Sequence, residues 1–203
     1  PADLPPVEEL MAQVNHFREQ EFPRSAPVRS SNDQRPAAFT FSSEQQKCLD
    51  HLQRQIDFLR ARRSRAVNAP AKRVRVLGIA GSGKSTIIKE IIRRGQEAFG
   101  EKSVVVVAPT GRAAINVDGR TIHSLLRIPT DFAKANVSYS ELSGDAKQKF
   151  LQDMEDVKFL IIDEMSMIGA KLLNFMDLRC REARSEIDEP FGGIMVWKMG
   201  DIR

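Results

Sequence analysis

Two kinds of apolar spacing alternate along the chain. Four short runs, Val74 to Leu77, the valines within Ser103 to Ala108, Phe159 to Ile162 and Ile194 to Met199, are apolar at most or all positions. Runs of this length, rich in β-branched residues, predict strands, and the uninterrupted valines suit a central parallel strand buried on both faces. Between them the period changes to that of a helix. Cys48, Leu49, Leu52, Ile56 and Leu59 fall on one face, as do Ile87, Ile88, Ile91, Ile92 and Phe99. Further helices are expected from Arg112, over 145–156 and over 169–184. Strand and helix thus alternate, which predicts an α/β fold: a mostly parallel central sheet with helices on both faces. Residues 129–144 carry Pro, Ser and Asn without periodicity and are expected to form a small insertion.

Residues 1–38 hold six of the ten prolines and predict an extended, surface-lying N-terminal extension. Within it Val7, Leu10, Met11, Val14 and Phe17 follow Pro5-Pro6 at helical spacing, one short amphipathic helix. The remainder, 39–203, is long enough for one sizeable domain. The chain opens at Pro1, so loss of a natural N-terminus and of any targeting segment is expected.

Apolar content of 41% suits a globular core, and no apolar run approaches the length of a membrane span. Cys48 and Cys180 lie far apart without metal-type spacing, which reads as reduced and intracellular. The net charge of +4 is unevenly spread. Arg54, Arg60, Arg62, Arg63, Arg65, Lys72, Arg73 and Arg75 crowd one stretch whose only acid is Asp57. A solvated face and a polyanion partner both fit that run; its place before the first strand favours the solvated face.

The first strand runs into Gly78-Ile79-Ala80-Gly81-Ser82-Gly83-Lys84-Ser85-Thr86, which fits the phosphate-loop pattern G-x-x-x-x-G-K-[ST] with strand before and helix after. The glycines free the backbone to turn and approach phosphate oxygens. Successive N–H groups of residues 80–85 at a helix start make an anion site. Lys84 can reach β- and γ-phosphates, and the Ser85 hydroxyl can ligate Mg²⁺. Asp163-Glu164 ends the third strand, on the side of a parallel sheet where ligands collect. Asp163 there suits Mg²⁺, and Glu164 suits the polarising of an attacking water. Gln45 has two readings. Ser42-x-x-Gln45 and Ser43-x-x-Gln46 both fit a helix capping box, whereas a free amide matches adenine's hydrogen-bonding edge. Thr110, Gly111, Arg112, Thr121 and His123 follow the second strand closely and suit the phosphates of a single nucleic-acid strand. Aromatic groups for base stacking are few in this region, Phe132 and Tyr139 being the nearest.

Taken in order, GIAGSGKST, VVVVAPTGRAA, GRTIHSLLRIP, FLIIDEMSMIG and PFGGIMVWKMGD resemble the petite-integration-frequency helicases, a 5′-to-3′ branch of superfamily 1. The resemblance runs from about Phe41 to Asp201. It implies the first RecA-like P-loop NTPase domain of an ATP- and Mg²⁺-dependent motor on single-stranded or forked DNA, acting as a monomer, without membrane partner, and in the nucleus or mitochondrion of a eukaryote. It makes Gln45 an adenine contact, adds Pro109 to the DNA track beside Thr110, Gly111 and His123, and likens 129–144 to a subdomain near the strand-separating wedge. Asp201 falls in a G-D-x-x-Q motif linking phosphate to DNA. Two departures stand out. The chain stops at Arg203, one residue before that motif's glutamine, and a second RecA-like domain of the same polypeptide with its arginines is expected beyond it. Trp197 and Lys198 also sit in a strand that is more apolar in the family.

Overall fold

The computed structural model describes residues 40–61, 69–129 and 138–201. The four apolar runs form strands β1 (Arg73–Gly78), β2 (Val104–Ala108), β4 (Phe159–Ile162) and β5 (Met195–Asp201). A fifth strand, β3 (Arg120–Thr121), was not legible from periodicity, because two residues cannot display a period. It arises from backbone pairing of Arg120 and Thr121 with Val107 and Ala108. Gly119 permits that approach: a Cβ there would lie 2.7 Å from the Val106 carbonyl oxygen. The sheet runs β1-β5-β4-β2-β3, and every pairing is parallel.

Helices α1 (Ser43–Arg60), α2 (Lys84–Phe99), α3 (Gly111–Asn116), α4 (Ile122–Leu126), α5 (Gly144–Met154) and α6 (Ala170–Arg184) complete the unit that begins at Phe41. Alternation along β4 sorts the core into two layers. Phe159 and Ile161 join Leu49, Leu52 and Ile56 of α1, Ile87, Ile88 and Ile91 of α2, and Trp197 on one side. Leu160 and Ile162 join Ile122, Leu125, Phe150, Met154, Phe175 and Met176 from α4, α5 and α6 on the other. All four β4 side chains are buried, as a strand sandwiched between helical layers requires.

Trp197 does not interrupt its strand; it is fully buried in the first layer. Its indole N–H donates to Gln55 Oε1 at 2.8 Å, and Gln55 Nε2 donates to the Ala71 carbonyl at 2.7 Å. Gln55 is itself buried, so α1, the approach to β1 and β5 are tied by one amide.

The second layer holds a buried ion pair. Arg179 meets Glu182 at 2.5 Å, and both side chains are almost inaccessible. Glu182 also accepts from Tyr139 Oη and, at 2.9 Å, from the Leu142 N–H. Burial pushes the Glu182 carboxyl up, but hydrogen bonds from Tyr139, Arg179 and Leu142 outweigh it and hold the group below its ordinary range. Tyr139 packs on Phe175 and lies under the Arg179 guanidinium, 5.0 Å away in both cases. Half-buried, it packs against the core of this layer. Phe132, Arg62, Arg63, Arg65, the N-terminal extension 1–38 with its helix, and residues 130–137 of the insertion lie outside the described residues. The P-F-G-G segment (Pro190–Gly193) wedges Gly192 against the Cys180 carbonyl at the amino end of β5, away from the strand ends considered below.

Two outcomes follow from the packing. Gln55→Leu leaves the buried Trp197 N–H without its acceptor and should destabilise the fold by about 2 kcal/mol. Urea unfolding followed by the emission of the sole tryptophan measures it. On α2, Glu90 is held at about 2 by the Arg93 hydrogen bond first, against opposing burial, with Arg94 adding to the pull. A depressed carboxylate contributes stability that is full above its unfolded value of roughly 4.3 and is lost as pH falls through the folded one. Arg93 is half-exposed, so the contribution should be about 1 kcal/mol. Glu90→Gln should cost that much at pH 7 and progressively less as pH falls toward and through about 2; a pH-independent difference would contradict the assignment.

Candidate nucleotide and nucleic-acid site

Because all strands are parallel, every carboxyl end lies on one rim, and the residues singled out from the sequence meet there. After β1 the loop doubles back so tightly that a Cβ on Gly78 would lie 2.3 Å from Ser82 Oγ. Gly81 and Gly83 take φ of 78° and 87°, a region L side chains rarely adopt. Gly83 is the N-cap of α2 and supplies no side-chain cap. The first N–H groups of a helix have no intrahelical partner, so those of Lys84 and Ser85 are left for the space the loop encloses, while within the loop the Ser82 N–H is taken by the Ile79 carbonyl at 3.2 Å. Ser85 is exposed there and Thr86 is half-buried behind it.

Lys84 Nζ donates to the Gly78 and Ile79 carbonyls, each at 2.9 Å, and pairs with Asp201 Oδ1 at 2.6 Å. Gln45 is held from two sides. Its Oε1 accepts from the Ser42 N–H at 2.9 Å while Ser42 Oγ accepts from the Gln45 N–H at 3.3 Å, a complete capping box. Its Nε2 donates to the Ser82 carbonyl at 3.4 Å, so the first turn of α1 rests on the loop. Of the two possible boxes, Ser42–Gln45 is the one formed; Gln46 instead bonds Asp50. An open cleft of about 390 Å³ runs between α1 and β1, lined by Ser42, Gln45, Cys48, Arg75, Leu77 and Lys84 among others.

Asp163 and Glu164 stand half-buried beyond β4. The Asp163 N–H donates to the Val107 carbonyl at 2.9 Å, which ties this corner to β2. Glu164 takes a left-handed backbone, φ 51°, and opens the short turn Met165–Met167. Beyond β2, Thr110 caps α3 by accepting from the Ala113 N–H, and beyond β3, Thr121 caps α4 by accepting from the Ser124 N–H, both at 3.2 Å. Each hydroxyl keeps its own O–H to donate. Pro109 is half-buried, Gly111 is exposed at the start of α3, and His123 is half-buried on α4.

The structure thus brings Gln45, the 78–86 loop and Asp201 into direct contact, sets Asp163 and Glu164 on the same rim, and keeps Pro109, Thr110, Gly111, Thr121 and His123 beyond the neighbouring strands. Asp201 as a partner of Lys84 was missed by reasoning from sequence. The signal available was its position at the end of the last strand, where a carboxylate faces the loop.

A parallel sheet with a phosphate loop after its first strand and acids after its third apolar strand defines a RecA-like P-loop domain. A family model described as PIF1-like helicase matches residues 44–203, and the chain belongs to that family. ATP-dependent DNA helicase PIF1 of Saccharomyces cerevisiae strain YJM789 is 37% identical over 125 residues, covering 62% of this chain and 14% of that protein. ATP-dependent DNA helicase RRM3 of Saccharomyces cerevisiae S288c is 33% identical over 132 residues, covering 62% of this chain and 17% of that one. A Bacteroides Pif1 helicase solved with ADP-AlF3 and single-stranded DNA superposes with a TM-score of 0.61 at 32% identity, covering 80% of this chain and 32% of the other. A structure of Pif1 helicases on forked double-stranded DNA gives 0.61 at 33% identity, over 80% and 34%. The chain therefore spans about a seventh of the length of the first of these relatives.

Proposed function

We propose that this chain is the first RecA-like domain of an ATP-dependent 5′-to-3′ DNA helicase, binding ATP-Mg and single-stranded DNA on the rim described above. The observation that carries the reading is Lys84 at the mouth of a glycine loop that opens a helix, with Asp201 and Gln45 against that loop and two acids on the same rim. The loop fits a polyphosphate: its glycines keep side chains out, and the helix it leads into opens with N–H groups that have no intrahelical partner. Ser85 and Asp163 are hard oxygen donors of the kind Mg²⁺ takes alongside phosphate oxygens. Among the described residues no cluster of three or more His, Cys, Asp or Glu could hold a metal ion without such a ligand. That composition suits a cation that arrives with the nucleotide.

In this reading Lys84 neutralises the β/γ-phosphates, and Ser85 and Asp163 would hold Mg²⁺, which when bound would supply charge stabilisation at the phosphates. Glu164 orients water and accepts its proton. Gln45 keeps one donor and one acceptor beyond those it already uses, enough for an adenine edge in the adjoining cleft. Pro109, Thr110, Gly111, Thr121 and His123 line the DNA backbone path. The similarity to PIF1 and RRM3, both ATP-dependent DNA helicases, supports the activity, and the Bacteroides complexes support the ligands. The reading includes a second RecA-like domain of the same polypeptide, completing the nucleotide cleft and acting with this one as a monomer.

In the full-length polypeptide, Lys84→Ala should abolish ATP hydrolysis with circular dichroism unchanged; near-normal turnover would remove the loop from the mechanism. Glu164→Gln should keep nucleotide binding while hydrolysis drops by about 10²–10⁴. A normal rate in Glu164→Gln beside a dead Asp163→Asn would reverse the roles given to the two acids.

Single-strand binding tests the other half of the rim. Thr110→Ala and His123→Ala remove hydrogen bonds to phosphate but little fixed charge. Affinity should fall by a similar factor on every sequence, and the log–log salt slope, about −0.7 per neutralised phosphate, should stay the same. Losses confined to one base composition would point to base reading instead.

A further inference from the structure

An ammonium has three N–H donors, and the structure gives all three of Lys84's an acceptor: the carbonyls of Gly78 and Ile79 and the carboxylate of Asp201. A phosphate that reaches Lys84 has to displace one of them. The carbonyls belong to the loop itself and move with it. Asp201 belongs to another strand, and its side chain is 42% exposed, so water can take over its hydrogen bonds on release. While in place it also sets a negative charge where phosphate oxygens must come. Its position is fixed by the β1–β5 ladder, in which Gly78 and Asp201 are register partners. The contact is therefore built by the sheet.

We propose that Asp201 is a competing counter-ion for Lys84, a positioning residue that a nucleotide must displace with its β-phosphate before the loop can hold it. The inference rests on the reading of this loop as a nucleotide site. It has two consequences. Intrinsic affinity is lower than the loop and Lys84 alone would give, and ligands without a β-phosphate gain nothing from displacement because they do not reach the ammonium.

The test is equilibrium binding of ADP and AMP to the full chain, titrated to millimolar concentration in EDTA so that no cation contributes. Four proteins are compared: the unaltered chain, Asp201→Ala, Lys84→Met and the double variant, with Trp197 emission reporting that each is folded. Asp201→Ala should bind ADP about three- to tenfold more tightly, the size of one charge-assisted contact. AMP should stay within about twofold, and Asp201→Asn should show a smaller gain of the same sign. In the Lys84→Met background the gain should vanish, because the cycle isolates the pairwise contact. Unchanged or weaker ADP binding in Asp201→Ala would overturn the proposal, since Asp201 would then be neutral or a ligand-holding group. A gain that persists without Lys84 would also overturn it, marking a general field effect. If the unaltered chain shows no ADP binding that Lys84→Met removes, the nucleotide reading itself fails and this inference falls with it.

Discussion

The parallel pairing of β1 with β5 sets the geometry on which the rim depends. β1 is the edge strand, with Arg73, Arg75 and Leu77 exposed on one face, so β1 contributes little burial on that side. Its hold comes from the other face, where Val74 and Val76 pack against the layer of α1, α2 and Trp197. Helix α1 is thus the clamp of this edge. The same helix begins with Ser42 and Gln45, whose capping box places an amide on the Ser82 carbonyl. One amphipathic helix therefore secures the strand that carries the loop and touches the loop itself. The buried Gln55–Trp197 hydrogen bond fixes its rotation, because an amide must meet the indole N–H in line.

The opposite layer solves a different problem. It must anchor the chain as it returns from the 129–144 region, and it does so with charge. Burying Arg179 and Glu182 costs desolvation that pairing alone does not always offset. Here Glu182 gains two further donors, Tyr139 and the Leu142 N–H, and the guanidinium lies against two aromatic rings. Arg179 Nε remains without a partner, so the cluster is not fully satisfied. A network of this kind fixes where residues 139–142 sit, since any other position leaves a buried carboxylate short of donors.

Much of this was legible in the sequence wherever one element's own spacing carried the information. The apolar runs gave four strands, and the helical period gave α1, α2, α5 and α6, because burial on one face imposes those periods. The loop was legible because phosphate chemistry needs its glycines and lysine consecutively. What escaped depended on contacts between distant residues. Gln55 and Arg179 sit in helices where polar side chains normally face water, and only the partners Trp197 and Glu182 explain their burial. Tyr139 has mostly polar neighbours in sequence, while its neighbours in space are Phe175 and Arg179. Asp201 was visible as a motif residue, but its contact with Lys84 follows from strand order, which spacing along the chain does not reveal.

Strand order also arranges the rim. Reading β1-β5-β4-β2-β3 across the sheet gives, in sequence, the phosphate loop, Asp201, the Asp163–Glu164 pair, Thr110 and Thr121. With strands about 4.8 Å apart, the loop and Thr121 are separated by roughly 19 Å, and the acids stand between them. A nucleotide and a nucleic-acid backbone can therefore occupy the two ends without competing for room. The junction is short: the Asp163 N–H donates to the Val107 carbonyl, and Val107 precedes Ala108, Pro109 and Thr110. The proposed water-polarising corner and the strand end bearing Thr110 are thus separated by one hydrogen bond and a few residues of chain. Since Thr110 and Thr121 already spend an acceptor on their helix caps, what they offer a partner is an O–H donor, which matches phosphate oxygens and ignores base identity. A contact of that kind suits the proposed role of this end of the rim, a nucleic-acid contact indifferent to sequence.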